Sequence, residues 1–153
     1  MMFAFDTSRG YVVCGRGCRH WGPHGAAGLL LLDDGHILMQ RRAPHVHHGG
    51  TWSIPGGALR LGETARSGAR REAAEELGGL PRYRHHVTHH DDHGGWTYST
   101  VIGDALEPFT PGRGDGEGSH HDWLTPRQIN RLPLHPGFAE TWRQVAILLG
   151  GRP

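Results

Sequence analysis

The chain contains no lysine, so all of its basic residues are arginines, and these nearly balance the acidic residues. The net charge is +1 at pH 7 with histidines neutral. A protein that wraps a nucleic-acid polymer needs a strong excess of positive charge, and this composition does not supply one. The exclusive use of arginine, together with 25 glycines, is typical of GC-rich coding and indicates nothing about function.

Long apolar runs are also missing. The longest, residues 26–32, is far below the roughly 20 residues that span a bilayer. Charged residues and glycines interrupt residues 1–20, so we expect neither a signal peptide nor a membrane partner. The two cysteines are expected to be reduced thiols in the cytoplasm. A chain of 153 residues is long enough to bury a core, and we expect one domain.

Strand-length apolar runs and turn signals alternate along the chain. Residues 25–33 and 36–42 predict a β-hairpin around Asp34-Gly35. Further strands are expected at 52–55, 83–90, 96–102 and 120–124. Helices are expected at 64–77, 126–131 and 138–149, the first capped by Thr64 and ended by Gly78. These elements predict a mixed sheet covered on both faces, formed by residues 25–150, with residues 1–24 as an N-terminal arm or hairpin.

Glutamates concentrate just after the glycine pair Gly56-Gly57. Four of the seven in the chain fall within fourteen residues: Glu63, Glu72, Glu75 and Glu76. On a helix the last three share one arc of about 100°. Like charges so close disfavour a helix unless a partner neutralises them, and Mg²⁺ prefers such oxygen ligands. The segment therefore predicts a magnesium site, with Mn²⁺ as the alternative.

The same segment resembles the Nudix box, whose pattern is G-x5-E-x7-R-E-U-x-E-E-x-G-U, where U is bulky and apolar. Residues 57–78 match every fixed letter, and Gly79 departs from the final U. The resemblance implies the α+β Nudix fold, an α/β/α sandwich with a mixed sheet and a loop–helix–loop box. It also implies an enzyme that hydrolyses the diphosphate bond of a nucleoside diphosphate linked to another group.

The resemblance implies a role for each matching residue. Glu72 and Glu76 are the expected principal metal ligands, and Glu75 is a third ligand or a neighbour that supports them. Arg71 is expected to orient these catalytic glutamates, and helical spacing favours Glu75 as its partner. Two supporting positions complete the prediction. The carbonyl of Gly57 is a further candidate ligand, and Glu63 and Gly56 are expected to support the metal site.

The general base is predicted outside the box. Relatives often carry it on a loop glutamate six residues before a tryptophan, and Glu117 stands six residues before Trp123. A mobile loop there would let the carboxylate approach the attacking water. His120 occupies the position of a second glutamate found in relatives, so His120 or His121 is a further candidate for proton transfer.

Substrate contacts are expected from arginines that flank the box and from a downstream loop. Arg41, Arg42 and Arg60 are candidates for binding phosphate. Markers of the ADP-ribose and NADH branches are absent, and Tyr98 is out of register with the diadenosine-polyphosphate marker. Elimination favours a MutT-like enzyme that converts (d)NTP or oxidised NTP to NMP and pyrophosphate. In such relatives a loop corresponding to residues 132–136 contacts the base, so His135 is a candidate.

Several alternatives stay open at this point. The substrate is alternatively a nucleotide sugar, ADP-ribose or a diadenosine polyphosphate, and a sensor that binds a nucleotide without hydrolysing it is a further reading. A homodimer is also left open. Cysteine and histidine spacing at Cys14, Cys18, His20 and His24 allows zinc, a disulfide or plain thiols. The fourteen histidines allow a histidine-rich metal-binding protein, whose metal binding would survive loss of Glu72 and Glu76.

Overall fold

The computed structural model describes residues 9–112 and 118–149. The strands in this part of the chain are β1 (Tyr11–Val13), β2 (Arg19–Trp21), β3 (Ala26–Asp33), β4 (His36–Arg42), β5 (Trp52–Ser53), β6 (Gly56–Ala58), β7 (Tyr83–Asp92), β8 (Thr97–Ala105) and β9 (Gly118–Leu124). The helices are α1 (Ala65–Leu77), α2 (Pro126–Ile129) and α3 (Pro136–Leu148). None of the described helices combines the length and apolar character needed to cross a bilayer.

The main sheet is mixed and splits between two of its strands. Its path is β5-β4-β3-β8-β7, with β6 on β3 and β9 on β4, and the β3–β8 pair is parallel. Strands β3 and β4 pair only beside their turn, at Leu32↔Ile37 and Asp33↔His36. Beyond that point β6 takes the edge of β3 and β5 takes the edge of β4. We call the gap between the two diverging strands the sheet split. Strand β6 lies beside it, and the chain passes from β6 through a short loop into α1.

Helices cover both faces of the sheet. On one face Ala69, Ala73 and Leu77 of α1 pack with Leu29 and Leu38. On the other face Phe138, Trp142 and Val145 of α3 pack with Ile37 and Met39. Leu38 and Met39 point to opposite faces because side chains alternate along a strand. This arrangement confirms the expected α+β fold with a mixed sheet in a three-layer sandwich.

Local sequence determines where α1 begins and ends. The Thr64 hydroxyl accepts a hydrogen bond from the backbone N–H of Ser67 at 3.1 Å, as an N-cap does. Gly78 ends the helix in the left-handed conformation, with φ of 68°. Ala69, Ala73 and Leu77 recur every four residues along one side of the helix, and all three are fully buried. Small alanines let the helix lie close to the sheet, which brings its acidic edge up to the split.

Three short strands were not expected from the sequence as separate strands. β1 and β2 have only three residues each, which is too few to show an alternating pattern in the sequence. β6 begins in the glycine pair, which has low strand propensity, and it forms because the exposed edge of β3 supplies hydrogen-bond partners. Several predicted boundaries were also wrong. The structure extends four elements, in that β7 continues to Asp92, β8 continues to Ala105, β9 begins at Gly118 and α3 begins at Pro136. It shortens two others, since β5 ends at Ser53 and α2 ends at Ile129.

Strands β1 and β2 form what we call the N-terminal hairpin, residues 11–21, and it packs on the β7–β8 turn. The backbone N–H of Gly15 donates to the carbonyl of Gly94 at 2.6 Å. The indole N–H of Trp96 donates to the carbonyl of Gly22 at 2.8 Å. Cys14 lies buried against Trp96. Both cysteines of the chain are free thiols, so no disulfide links Cys14 to Cys18.

Candidate active site

Glu76 is a buried carboxylate held at the sheet split. Its side chain lies on α1 and the residue is only 4% exposed. Glu76 Oε2 accepts hydrogen bonds from the backbone N–H of Gly56 at 2.8 Å and from Gln40 Nε2 at 3.2 Å. Burial, and secondarily the charge of Glu76, raise the pKa of Tyr98. Strand β6, strand β4 and helix α1 therefore fix the position of this carboxylate together.

Arg71 organises two further carboxylates. Its Nε and Nη2 donate to the two oxygens of Glu63 at 2.9 and 2.8 Å, which is a bidentate pair. Its Nη1 donates to Glu72 Oε1 at 2.8 Å, and Nη2 also donates to the carbonyl of Ala58 at 3.2 Å. The hydrogen bonds from Arg71 hold the pKa of Glu63 below its usual value.

Glu75, the partner that helical spacing predicts for Arg71, makes a weaker contact with it than Glu63 and Glu72 do. Glu75 Oε1 lies 3.8 Å from Arg71 Nη1, and the Glu75 side chain is 49% exposed. Glu63 and Glu72 lie at 2.8 Å and are far less exposed. The loop between β6 and α1 folds back and brings Glu63 onto the guanidinium, a contact that helix geometry alone does not predict.

Gly57 leaves space beside the Glu72 carboxylate. A Cβ at position 57 would stand 2.6 Å from Glu72 Cδ and 2.7 Å from Oε2, inside van der Waals contact. A Cβ at Gly56 would stand 2.6 Å from the carbonyl oxygen of Ala27 on β3. Glycine is therefore required at both positions, because Gly56 lies against the neighbouring strand β3 and Gly57 lies against the Glu72 carboxylate.

The donor set at this edge of α1 suits a hard divalent cation. Carboxylate oxygens of Glu72, Glu75 and Glu76 share one side of the helix, and Mg²⁺ or Mn²⁺ prefers such ligands. The Glu72 carboxylate reaches this edge because it packs directly against Gly57, which has no side chain to displace it. Glu75, being half exposed, is the member of the set that faces solvent. The residues present thus fit a metal at the box.

The predicted substrate residues fall into two places. Arg60 lies on the loop before α1, where its backbone N–H donates to Glu63 Oε1 at 3.1 Å. Arg41 pairs across the sheet with both Trp52 and His120, which places these three residues on the face of β4 opposite Gln40. The ring centroids of Trp52 and His120 are 5.8 Å apart in an edge-to-face arrangement.

His135 joins this second group from the loop before α3. Its backbone N–H donates to the carbonyl of Trp52 at 2.8 Å, and its ring lies edge-to-face with His48 at 4.8 Å. Its Nδ1 accepts a hydrogen bond from the backbone N–H of Gly137 at 3.1 Å, so His135 caps α3. Burial, then the charge of Arg42 and the nearby histidines, lower the pKa of His135 to about 4.

Two residues near the site were not predicted as site residues from the sequence, and one predicted residue lies outside the part of the chain that the structure describes. Gln40 was missed, although a lone buried amide within the apolar strand 36–42 was a usable signal. Trp52 was treated only as part of a short strand. Glu117, the candidate general base, lies outside the described residues, so its role stays a prediction.

Comparison with known proteins identifies the family. The NUDIX domain model matches residues 22–145. This chain belongs to the Nudix family. The M. tuberculosis protein named "Putative 8-oxo-dGTP diphosphatase 3" is 40% identical, over 89% of this chain and 68% of that protein. A B. longum protein named "Nucleoside triphosphate pyrophosphatase/Nudix hydrolase fusion protein" is 35% identical over 92% of this chain, which corresponds to only 31% of its length.

A solved structure agrees with this assignment. The crystal structure of RenU, a Nudix hydrolase from M. smegmatis, superposes with a TM-score of 0.77 at 41% identity. The match covers 94% of this chain and 96% of that one. The chain is accordingly a Nudix hydrolase, and it is similar to MutT-like members. Nudix hydrolases generally require a divalent metal and act on small nucleotide substrates.

Proposed function

We propose that this Nudix hydrolase converts nucleoside triphosphates, including oxidised purine nucleotides, to the monophosphate and pyrophosphate, with Mg²⁺ as the cation. The observation that carries the proposal is the complete box, folded with Glu76 held at the sheet split and Glu72 held by Arg71. Similarity to the relative named as an 8-oxo-dGTP diphosphatase supports the substrate class. Mn²⁺ is the alternative cation, since both ions take carboxylate oxygens.

The residues of the chain divide the chemistry between them. Glu72 and Glu76, with Glu75, would hold the cation, which when bound neutralises phosphate charge and lowers the pKa of a bound water. Arg71 keeps Glu72 and Glu63 oriented and so limits the reorganisation needed when substrate arrives. Water attacks one phosphorus in line and the P–O–P bond breaks. We assign the water's proton to Glu117, with His120 or His121 as the alternative acceptor.

Nucleotide recognition is proposed at two positions. Arg60, exposed at the start of the box loop, is the candidate for phosphate contact closest in sequence to the carboxylates. Arg41, His120 and His135 surround Trp52, and an aromatic ring among hydrogen-bonding groups is the kind of surface on which a purine stacks. Arg41 directly follows Gln40, which contacts Glu76, so this group lies one residue along β4 from the box and on the opposite face of the strand.

Turnover of a substrate panel tests the proposal. Purified protein with Mg²⁺ would be given nucleoside triphosphates, 8-oxo-dGTP, a nucleotide sugar, ADP-ribose and a diadenosine polyphosphate, with products resolved by chromatography. We expect monophosphate and pyrophosphate from the triphosphates, and at least a 10²-fold loss in Glu76→Gln. Glu107→Gln is the matched control, since Glu107 pairs with Arg82 on the surface. Turnover of ADP-ribose or the dinucleotide alone would contradict the substrate class, and binding without any turnover would favour a sensor.

A further inference from the structure

A second cluster of metal-binding side chains lies where the N-terminal hairpin meets the end of β7. Cys14, His20 and His93 each offer one donor atom, and these atoms lie within 4.8 Å of one another. Cys14 and His93 are 5% and 8% exposed, and His20 is partly buried. We call these three residues the hairpin cluster. It is separate from the box, because none of its members lies on β6 or α1.

Two nitrogens in the hairpin cluster lack a hydrogen bond of good geometry, although the Cys14 thiol is near enough to His93 to interact with it. His20 Nε2 and His93 Nδ1 are buried, and within the described chain neither has a partner of good geometry. Buried polar atoms in proteins nearly always have one, so each such atom calls for an explanation. Stacking of the His20 ring on Trp96, with centroids 3.8 Å apart, explains why the ring is buried but leaves its nitrogen unsatisfied.

The other nitrogen of His93 is held by a carboxylate. His93 Nε2 lies 2.9 Å from Asp91 Oδ2, and Asp91 is itself only 6% exposed. Arg16 lies 3.7 Å from the other oxygen of Asp91. A ligating histidine typically donates its second ring N–H to a carboxylate in this way, which fixes the tautomer and presents the remaining nitrogen to the metal.

We propose that Cys14, His20 and His93 bind a zinc ion that fastens the N-terminal hairpin to the β7–β8 turn. One thiolate and two imidazoles suit zinc, which takes sulfur and nitrogen ligands in a tetrahedron. Donor atoms in such a site stand about 3.5 Å apart, so the cluster would contract slightly around the ion. The ligand set differs from the one that spacing suggested, because His24 is exposed and outside the cluster.

The fourth ligand is assigned to Cys18. Its thiol is exposed on the same hairpin turn, where the backbone N–H of Cys14 donates to the carbonyl of Cys18 at 2.9 Å. Cys18 lies outside the group whose donor atoms stand within 4.8 Å of one another, so its side chain would turn inward to complete the tetrahedron. With Cys18 the set becomes two cysteines and two histidines, a common composition for structural zinc.

An overlapping group is less suited to a cation. Asp91, His93 and Glu140 also bring donor atoms within 4.8 Å. Arg16, however, lies 3.3 Å from Glu140 and 3.7 Å from Asp91, so a guanidinium already neutralises both carboxylates. A second cation between them would be repelled by Arg16. We therefore place the metal on the side of His93 that faces Cys14 and His20.

Metal titration of the intact protein tests the proposal without reference to catalysis. Protein stripped by a chelator would be titrated with Zn²⁺ against a chromophoric competitor, in excess Mg²⁺, and separately with Co²⁺. We expect one tight Zn²⁺ per chain and a thiolate-to-cobalt charge-transfer band. Cys14→Ser and His93→Gln should each weaken Zn²⁺ binding at least 10²-fold and remove or reduce the cobalt band. Cys18→Ser should weaken Zn²⁺ binding at least tenfold.

Controls separate ligation from misfolding and from surface histidines. His24→Gln and His86→Gln replace exposed histidines outside the cluster and should leave the tight site unchanged. Zinc should raise the Tm of the wild type but not that of Cys14→Ser, while the two proteins melt alike in chelator. Equal Zn²⁺ binding in wild type and Cys14→Ser, or cobalt binding without a thiolate band, would overturn the proposal and indicate adventitious histidine binding. Unchanged affinity in Cys18→Ser would overturn the fourth-ligand assignment.

Discussion

Gly57 and the carboxylate of Glu72 lie so close that no side chain fits between them: a Cβ at position 57 would stand 2.6 Å from Glu72 Cδ. The close approach involves the end of a flexible side chain, whereas a Cβ at Gly56 would meet the backbone of β3. Changes at position 57 should therefore move a carboxylate and leave the sheet in place.

Gly57→Ala is expected to separate activity from stability. The new methyl group would displace the Glu72 carboxylate, so we expect a tenfold to hundredfold lower kcat/KM, of the order seen when metal-site support is lost. The free energy of unfolding should change by less than about 1 kcal/mol. Steady-state assays and urea denaturation measure the two quantities. Gly112→Ala is the matched control, because the nearest atom to a Cβ there would be the Leu77 carbonyl oxygen at 3.8 Å, an ordinary contact. Equal activity in Gly57→Ala and wild type would show that Glu72 can move without cost.

Arg71→Lys keeps the positive charge but removes the planar fork that binds Glu63 through two nitrogens. We expect a loss of about 1–2 kcal/mol in unfolding free energy and at least a tenfold lower kcat/KM. Arg70→Lys, on the exposed neighbouring position, should change neither. If Arg71→Lys retained full activity, charge alone would suffice, and the geometry of the guanidinium would be irrelevant to catalysis.

Gln40→Met removes the amide that donates to Glu76 and keeps a side chain of similar length in a buried position. We expect the concentration of Mg²⁺ needed for half-maximal activity to rise about tenfold, because Glu76 loses a donor that helps to fix its direction. Thermal unfolding should change little, since an apolar side chain suits a site that is 3% exposed. Metal dependence identical to that of the wild type would show that the other partners of Glu76 suffice to orient it.

The lowered pKa of His135 predicts that the folded protein loses stability in acid. Its pKa is about 4 in the folded protein, below the usual value near 6.5. Between these values the unfolded chain binds more protons than the folded chain, so stability is lost as pH falls from 6.5 towards 4. After allowance for partial exposure we expect a contribution of about 1–2 kcal/mol.

His135→Asn isolates this contribution. Asparagine supplies a side-chain oxygen that can cap α3 in place of His135 Nδ1, and it does not titrate. Urea denaturation of both proteins at pH 7 and pH 4.5 would show the wild type losing about 1–2 kcal/mol more than the variant. Parallel losses in the two proteins would mean that other histidines or carboxylates account for the acid sensitivity.

Much of the fold could be predicted because its signals are local. The hairpin of β3 and β4 followed from apolar runs around a turn, and the limits of α1 followed from Thr64 and Gly78. The acidic edge of α1 followed from helix geometry and from the box pattern. The strands β1, β2 and β6 could not be predicted in the same way, since each has three residues and owes its conformation to a partner strand.

By itself the sequence determined the family, the box helix and the residues able to bind a divalent metal, because caps, spacing and periodicity act over a few residues. Tertiary structure decided which side chains meet. Glu63 reaches Arg71 because the loop before α1 folds back, and Gln40 reaches Glu76 because β3 and β4 diverge. His93 lies in the turn after β7, far along the chain from Cys14 and His20, and it joins them only because the hairpin packs on the β7–β8 turn. These side-chain contacts depend on the pairing and packing of elements that are distant in the sequence, and short-range sequence patterns do not specify them.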